Sequence, residues 1–557
     1  MTRQILKYAI IIFFLFIMAS LMVASTLGDA ATVDEPTHIF AGLTYIKFRD
    51  LRQNPEHPPL IKLLSGLSLS ILYPDLNFPF SFAELAPALS FSITDYGAKM
   101  FLLNNPTKYL FFARLPIIAI TLLGGVLIFL LSSKLGRVRG GICSLFFYVF
   151  EPNILAHGRL VTTDSTLMVL TMFTIFTLYE FWQQRRIAWF GTATLISALM
   201  ILTKYSALLI LPIIYLSFIV CLLIWEKDSS WKKRLWLGLI GIGLATWLAI
   251  WGFYSFFRPA DYDYQHAPTI IHLMAQVKPQ WFIQLFKQPI LPAYFRHGAS
   301  IVAAHNYYGQ QFFLFGDFGN YNKWWLYPAI FLFKTPLPLL ILFVGTLLIT
   351  IKSKPTFLVL FLYLVAIGYA GILVSAKIFF GIRNLLPFSA IFIILLSTTI
   401  RWWLKKPKRA GVFFSLCIFY FLENILVFPA YLAYGNQLFG NRNHKMHSLA
   451  DSNIDWGQDL KRLSQWLKQQ GLSRLPFHYF GTVPPEAFAI TAKKLPTRED
   501  ADHPRGYVAV SISNYNYAYR IQNPDGSVRF MFNPYSYLDG LEPVKVIGDS
   551  IVIYKLP

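Results

Sequence analysis

Long apolar runs separated by short polar connections dominate the chain. One covers residues 8–27. Others lie near 109–133, 140–156, 161–182, 188–203, 205–225, 235–256, 326–350, 356–376, 379–400 and 410–434. Each approaches the ~20 residues a helix needs to cross the hydrocarbon core of a bilayer. The pattern predicts eleven membrane-spanning helices. Residues 61–73 form a half-length run, expected to lie on the membrane or dip into it. The first run follows Arg3 and Lys7 and precedes Ala30-Ala31, as a signal peptide would. It is long for that role and further spans follow, so it reads as an uncleaved helix.

After Tyr434 the pattern changes. HSLADSNIDWGQDLKRLSQWLKQQG (447–471) reads as one amphipathic helix, with Leu449, Leu460, Leu463 and Leu467 inward and Gly471 as its stop. GYVAVSIS (506–513), PVKVIGD (543–549) and SIVIYKL (550–556) alternate like strands. The expected fold class is an all-α polytopic membrane protein of about eleven transmembrane helices, residues 1–434. A small C-terminal α/β domain, residues 435–557, follows it.

Composition agrees: 55% of residues are hydrophobic and 14% charged, which excludes an ordinary soluble protein. The net charge of +21 adds orientation. One set of short connections carries Lys134, Arg137 and Arg139; Arg185 and Arg186; Lys227, Lys232, Lys233 and Arg234; Lys352 and Lys354; and Arg401, Lys405, Lys406, Lys408 and Arg409. Strict alternation puts all of them on the side of Arg3 and Lys7, which the positive-inside rule makes cytoplasmic. The opposite connections hold few cations. Much of the excess charge is thus a topology signal, and no nucleic-acid partner is implied. The first loop (28–108), the connection 157–164, the loop 257–325 and the tail from 435 are expected outside, in a multi-pass protein of the cell (inner) membrane. Cytosolic nucleotide substrates do not reach that side, so energy for chemistry must arrive on a membrane-crossing carrier. Cys143, Cys221 and Cys417 fall inside apolar runs and make no disulfide framework.

Chemistry-bearing residues gather on that outer side. Asp34 and Glu35 follow the first span; adjacent acids make a general base and its orienter, although a hydrated pair at a helix end also accounts for them. Glu56-His57-Pro58-Pro59-Leu60 sets a proline-fixed turn before the half-length run and presents Glu56 and His57 where a lipid phosphate would lie. Thr162-Thr163-Asp164 opens the fourth span, where capping explains the acid taken singly. Lys204 and Arg383 stand at outer helix ends, as snorkelling anchors or as phosphate holders. Lys334 lies two turns inside the eighth span beside Pro336, a functional candidate by its depth. His266, His272, His297 and His305 show no metal-ligand spacing. Trp324, Trp325 and Tyr327 read as an interfacial belt.

Together, Asp34-Glu35, Glu56-His57-Pro58-Pro59-Leu60, Thr162-Thr163-Asp164, Tyr327-Pro328 with Lys334-Thr335-Pro336, and Arg383 before Leu385-Leu386-Pro387 resemble the GT-C fold glycosyltransferases. The similar branch is that of the protein O-mannosyltransferases and the lipid A aminoarabinose transferase, and the resemblance covers most of residues 1–400. It implies inverting transfer of a sugar from a polyprenyl-phosphate donor to a protein, lipid or glycan acceptor on the outer face. Catalytic roles fall by resemblance on Asp34, Glu35 and Asp164, and donor-phosphate or substrate contacts on Glu56, His57, Lys204, Arg383 and Lys334. His57 stands where aminoarabinose transferases usually have lysine, which leaves Arg383 and Lys204 to supply the charge. No cofactor is read from the sequence, and a divalent metal is compatible with it. The other function classes are a transporter or flippase of a lipid-linked or anionic substrate and a non-catalytic subunit of an envelope assembly. Against transport, the titratable residues gather at one membrane face, whereas transporter sites lie near the midplane between repeats.

Overall fold

The computed structural model describes residues 2–85, 92–257, 289–500, 504–517, 519–522, 528–531 and 533–557. His266 and His272 lie outside the described residues. The eleven apolar runs fall on helical segments. Among the described residues, seven helices are long and apolar enough to cross a membrane, or eight when one bent pair counts as a single span.

Two features reconcile that number with the sequence pattern. Helix Pro106–Val149 has 44 residues, but Arg137 takes φ 55 and ψ −164 and reverses it. Tyr148 Oη donates to the Thr121 carbonyl at 2.8 Å, whereas a straight helix would hold residues so far apart in sequence about 40 Å apart. The element is therefore a hairpin of the predicted runs 109–133 and 140–156. Shorter helices, Ile187–Ile201 and Gly381–Leu396, account for two more of the runs. The run 326–350 needs correction as a simple span. Its helices Leu326–Lys334 and Leu337–Thr350 meet at a bend of 117°. Pro336 lacks an amide N–H and drives Thr335 out of the helical region, to φ −93 and ψ 133.

Pairings show which helix ends lie together. At one end Lys134 meets Glu180 at 2.5 Å and Arg185 meets Asp228 at 3.4 Å, and Trp182 stacks on Phe357 at 3.8 Å. The basic connections collect there. The opposite end holds the first loop, Asp164, Lys204, Arg383 and the tail.

The first loop is largely helical. Here α1 is Thr2–Gly28, α2 Glu35–Phe48 and α3 Leu60–Leu72. The backbones of α2 and α3 touch at Gly42 and Gly66: a Cβ built on Gly42 would lie 1.9 Å from the Lys62 carbonyl oxygen. One face of α3, including Ile61, Lys62, Ser65 and Leu69, is buried, while Leu67, Ile71 and Leu72 are exposed. This is the amphipathic half-length element expected at 61–73.

The tail carries a five-stranded mixed sheet from Arg474–His478 (β1), Thr491–Lys493 (β2), Gly506–Ser511 (β3), Lys545–Ile547 (β4) and Ile551–Leu556 (β5), in the order β2-β1-β3-β5-β4. The predicted strands 506–513, 543–549 and 550–556 match β3, β4 and β5. Strand β3 pairs antiparallel with β5 from Gly506↔Leu556 to Ser511↔Ile551. Leu460, Leu463 and Leu467 pack under the sheet with Leu475, Phe477, Ile551 and Ile553. The helix that carries them covers only Leu460–Gln469, shorter than the predicted 447–471. Residues 447–459 are consumed instead by contacts with the bundle and with the sheet domain. Gly471, at φ +68, closes the helix as expected.

Candidate active site

Asp34 precedes α2, whose second residue, Pro36, is pre-set for a helix start. Its side chain is 35% exposed, and its Oδ2 lies 3.4 Å from Arg383 Nη1. Arg383 comes from the short 3-10 turn Gly381–Leu385. The same guanidinium nitrogen is 3.9 Å from Asp164 Oδ2. Asp164 is nearly inaccessible at 3%, and its Oδ1 takes a 2.5 Å ion pair from Lys204. Lys204 also donates to Asn384 Oδ1 at 3.2 Å. Four predicted residues thus join in one chain, Asp34–Arg383–Asp164–Lys204, open at Asp34 and closed at Asp164. Capping does not account for Asp164: it is the first residue of its helix, and its carboxylate turns to the cations.

Glu56 and His57 adjoin this chain. Glu56 lies 3.3 Å from His305 Nδ1. Burial would raise its pKa, but the His305 hydrogen bond and the adjacent His57 hold it down to about 2. The His57 ring packs against His38, centroids 5.8 Å apart. Burial pushes His57 down to about 3, against the pull of Glu56, so its ring is neutral at physiological pH. His38 Nδ1 meets the Val161 carbonyl at 2.7 Å, tying α2 to the Asp164 turn. A narrow cleft beside His57 is lined by Tyr45, Pro59, Tyr205, Tyr254 and Tyr294.

The cation under this turn is Lys62, which sequence reasoning missed. Its Nζ donates to the carbonyls of Asn54 and His57, the latter at 2.7 Å. Burial lowers it to about 7, with Glu56 pulling the other way. The available signal was a lone lysine in an otherwise uncharged amphipathic run.

Two predicted site residues stand elsewhere. Glu35 is completely buried in a clasp. Arg114 Nε and Nη2 reach its two oxygens at 2.8 and 2.6 Å. The Thr32 and Val161 amides donate to it at 2.8 and 2.9 Å, and the Thr32 hydroxyl at 3.1 Å. The clasp continues through Asp29, which Arg159 and Arg462 also bind. Glu35 therefore anchors the Asp34 turn and has no oxygen left for an acceptor. Lys334 is likewise spent: its Nζ donates to the carbonyls of Leu432 and Asn453, at 2.8 and 2.5 Å. It fixes the tail to the bent helix pair and does not reach the Arg383 chain. Tyr327 is also reassigned: it is buried, and its hydroxyl accepts from Asn384 Nδ2 at 3.1 Å, whereas Trp324 is 73% exposed. Among the described residues, no three His, Cys, Asp or Glu side chains converge as metal ligands.

Residues 101–251 match the family model described as dolichyl-phosphate-mannose-protein mannosyltransferase. No curated protein matches the sequence. Among solved structures, ArnT from Cupriavidus metallidurans bound to undecaprenyl phosphate is similar with a TM-score of 0.50 at 10% identity, covering 97% of each chain. The oligosaccharyltransferase of Archaeoglobus fulgidus, in complex with Zn and sulfate, gives a TM-score of 0.45 at 11% identity, covering 94% of this chain and 73% of its own. The likeness to ArnT covers bundle and tail alike, and the family match spans Arg114, Arg159, Asp164 and Lys204. The chain has the GT-C fold, and its residues 101–251 are similar to the mannosyltransferase family model.

Proposed function

We propose that the chain is a membrane glycosyltransferase. It moves a sugar from a polyprenyl-phosphate carrier to an acceptor hydroxyl of a protein, lipid or glycan on the outer membrane face, with inversion. The observation that carries this reading is Arg383 held between Asp34 and Asp164, with Lys204 closing the chain. Its contacts of 3.4 and 3.9 Å are longer than the usual 2.7–2.9 Å of a charge-assisted hydrogen bond. Arg383 Nε also has no partner among the described residues. The guanidinium is thus restrained but not used up, as a phosphate-binding group should be.

Asp34 is the exposed carboxylate and takes the proton of the acceptor hydroxyl. The acceptor oxygen bonds to the anomeric carbon from the face opposite the phosphate. The bond from that carbon to the phosphate oxygen breaks, and its electron pair leaves with the polyprenyl phosphate. A phosphate leaves without being protonated, so charge stabilisation by Arg383 and Lys204 suffices. Asp164 keeps both cations in place, and Lys62 rigidifies the Glu56-His57 turn beside the exposed apolar edge of α3, where a carrier tail can stay in lipid. The family match over 101–251 and the similarity to an undecaprenyl-phosphate-bound structure support the reading.

The test is polyprenyl phosphate binding, followed by native mass spectrometry or titration in lipid nanodiscs. Saturable binding that is lost when Arg383 and Lys204 are both changed to alanine is expected. Absence of saturable binding to the wild type would overturn the proposal.

A further inference from the structure

Residues 450–458 (ADSNIDWGQ) belong by sequence to the tail, yet several of their polar groups bind the bundle. On one side they hold the turn before Asp34: the Val33 amide donates to the Trp456 carbonyl at 2.9 Å and the Ala30 amide to the Gln458 carbonyl at 2.8 Å. On the other side they hold the turn that carries Arg383. The Ile382 amide donates to Asn453 Oδ1 at 3.0 Å, and Ser452 Oγ donates to the Phe380 carbonyl at 3.3 Å. Gly381 adopts φ +73, and a Cβ there would lie 2.0 Å from Asn453 Oδ1, so only glycine lets the two loops meet.

Between the two turns stands Trp456, 2% exposed. Its ring centroid is 4.5 Å from the Arg383 guanidinium carbon, and the Phe380 ring is 4.7 Å away. A weakly hydrated guanidinium gains most from an aromatic face when both are desolvated, as here. The sheet in turn fixes this segment. Ser513, just beyond β3, donates its amide to Asp455 Oδ2 at 3.0 Å and its hydroxyl to the Asp455 carbonyl at 2.8 Å. The same hydroxyl accepts from the Asp451 amide at 2.7 Å.

We infer that Trp456 and Asn453 are positioning residues that place Arg383 between Asp34 and Asp164. The C-terminal domain is then a built-in part of the catalytic centre rather than a separate acceptor-binding module. This rests on the transferase reading above. One strand end sets a loop, and that loop sets the spacing of the carboxylate base and the phosphate-holding cation.

The test uses the full-length protein in liposomes, with a panel of polyprenyl-phosphate sugars, water and simple alcohols as acceptor hydroxyls, and release of polyprenyl phosphate as readout. Trp456→Leu is expected to lower kcat/KM by about 2- to 30-fold, the range of a cation–π contact. Trp456→Phe, which keeps an aromatic face, should recover most of that loss. In an Arg383→Lys background, which loses the flat stacking group, Trp456→Leu should cost much less than it does alone. A purely structural role would leave the two effects additive, and additivity overturns the inference. Asn453→Ala frees the Ile382 amide while leaving the ring in place, so it reads the same claim if Trp456→Leu fails to accumulate. A fall of about 2- to 10-fold in kcat/KM, measured well below the variant's own Tm, supports the inference, and an unchanged kcat/KM overturns it. A wild type that releases no polyprenyl phosphate from any donor overturns the transferase reading and this inference together. An active wild type with additive variants overturns this inference alone.

Discussion

Glu35→Gln replaces one oxygen by an amide nitrogen and should destabilise the protein severely. Glu35 Oε1 accepts from Arg114 Nε and the Val161 amide; Oε2 accepts from Arg114 Nη2 and from the Thr32 amide and hydroxyl. Whichever way the glutamine amide points, its NH₂ faces at least two of these donors. Each buried donor left unsatisfied costs about 1–3 kcal/mol. Arg114 also loses its principal counter-charge and keeps only Asp29, at 3.7 Å, which Arg159 and Arg462 share. Breaking a fully buried ion pair from one side costs about 3–5 kcal/mol, and the same range is expected here. That is a large part of a typical folding free energy of roughly 5–15 kcal/mol. Burial opposes ionisation of Glu35, but the Arg114 charge and the hydrogen bonds outweigh it and hold its pKa below the ordinary 4.5. Its contribution is therefore whole above about pH 4.5 and is lost only as the pH falls through the lowered value. The assay is thermal unfolding of the purified protein in detergent at neutral pH, beside Asp34→Asn. Asp34 is one-third exposed with a single long contact, so its neutralisation should cost no more than about 1 kcal/mol. A Glu35→Gln variant that melts like the wild type yet has lost transfer would refute the anchoring role and make Glu35 the base.

Two further outcomes follow from the same end of the bundle. A Cβ on Gly66 would lie 2.3 Å from the Gly42 carbonyl carbon, backbone against backbone, so Gly66→Ala should lower Tm by an amount equivalent to about 1–3 kcal/mol and slow transfer by moving α2. Gly191→Ala, with nothing within 4 Å of its Cβ, is the matched control and should be neutral or slightly stabilising. His305 is raised above its ordinary 6.5, first by its hydrogen bond to Glu56 and against burial, while Glu56 is held to about 2. The contribution of His305 is whole below about pH 6.5 and fades as the pH rises through its raised value; that of Glu56 is whole above about pH 4.5 and fades in acid. Glu56→Gln should return the His305 titration midpoint, read by NMR of labelled histidine, towards 6.5; an unmoved midpoint would remove the pairing.

The bundle was legible because apolar period and length carry membrane helices on their own, and the basic connections marked one end. Asp34, Asp164, Lys204 and Arg383 were legible because charged groups beside apolar runs are few. What escaped was set by partners far apart in sequence. Nothing near Glu35 announces Arg114, 79 residues on, and Asp29 finds Arg462 433 residues away. Lys334 was read from its depth alone, which gives no hint that carbonyls of the tail occupy it. The helix predicted from residue 447 kept its leucine periodicity but lost its first half, because Asn453, Asp455 and Trp456 gain more from the Arg383 turn and the sheet than from helical hydrogen bonds. The bend at Thr335-Pro336 was written in the proline, but a continuous apolar run masked it.

The most direct measurement is the turnover of Asp34→Asn, taken as release of polyprenyl phosphate in liposomes, alongside its affinity for polyprenyl phosphate. The account predicts a fall in turnover of about 10²- to 10⁴-fold, the usual worth of a general base, with affinity for the carrier phosphate retained and Tm near that of the wild type. Turnover like that of the wild type would contradict it and take Asp34 out of the reaction.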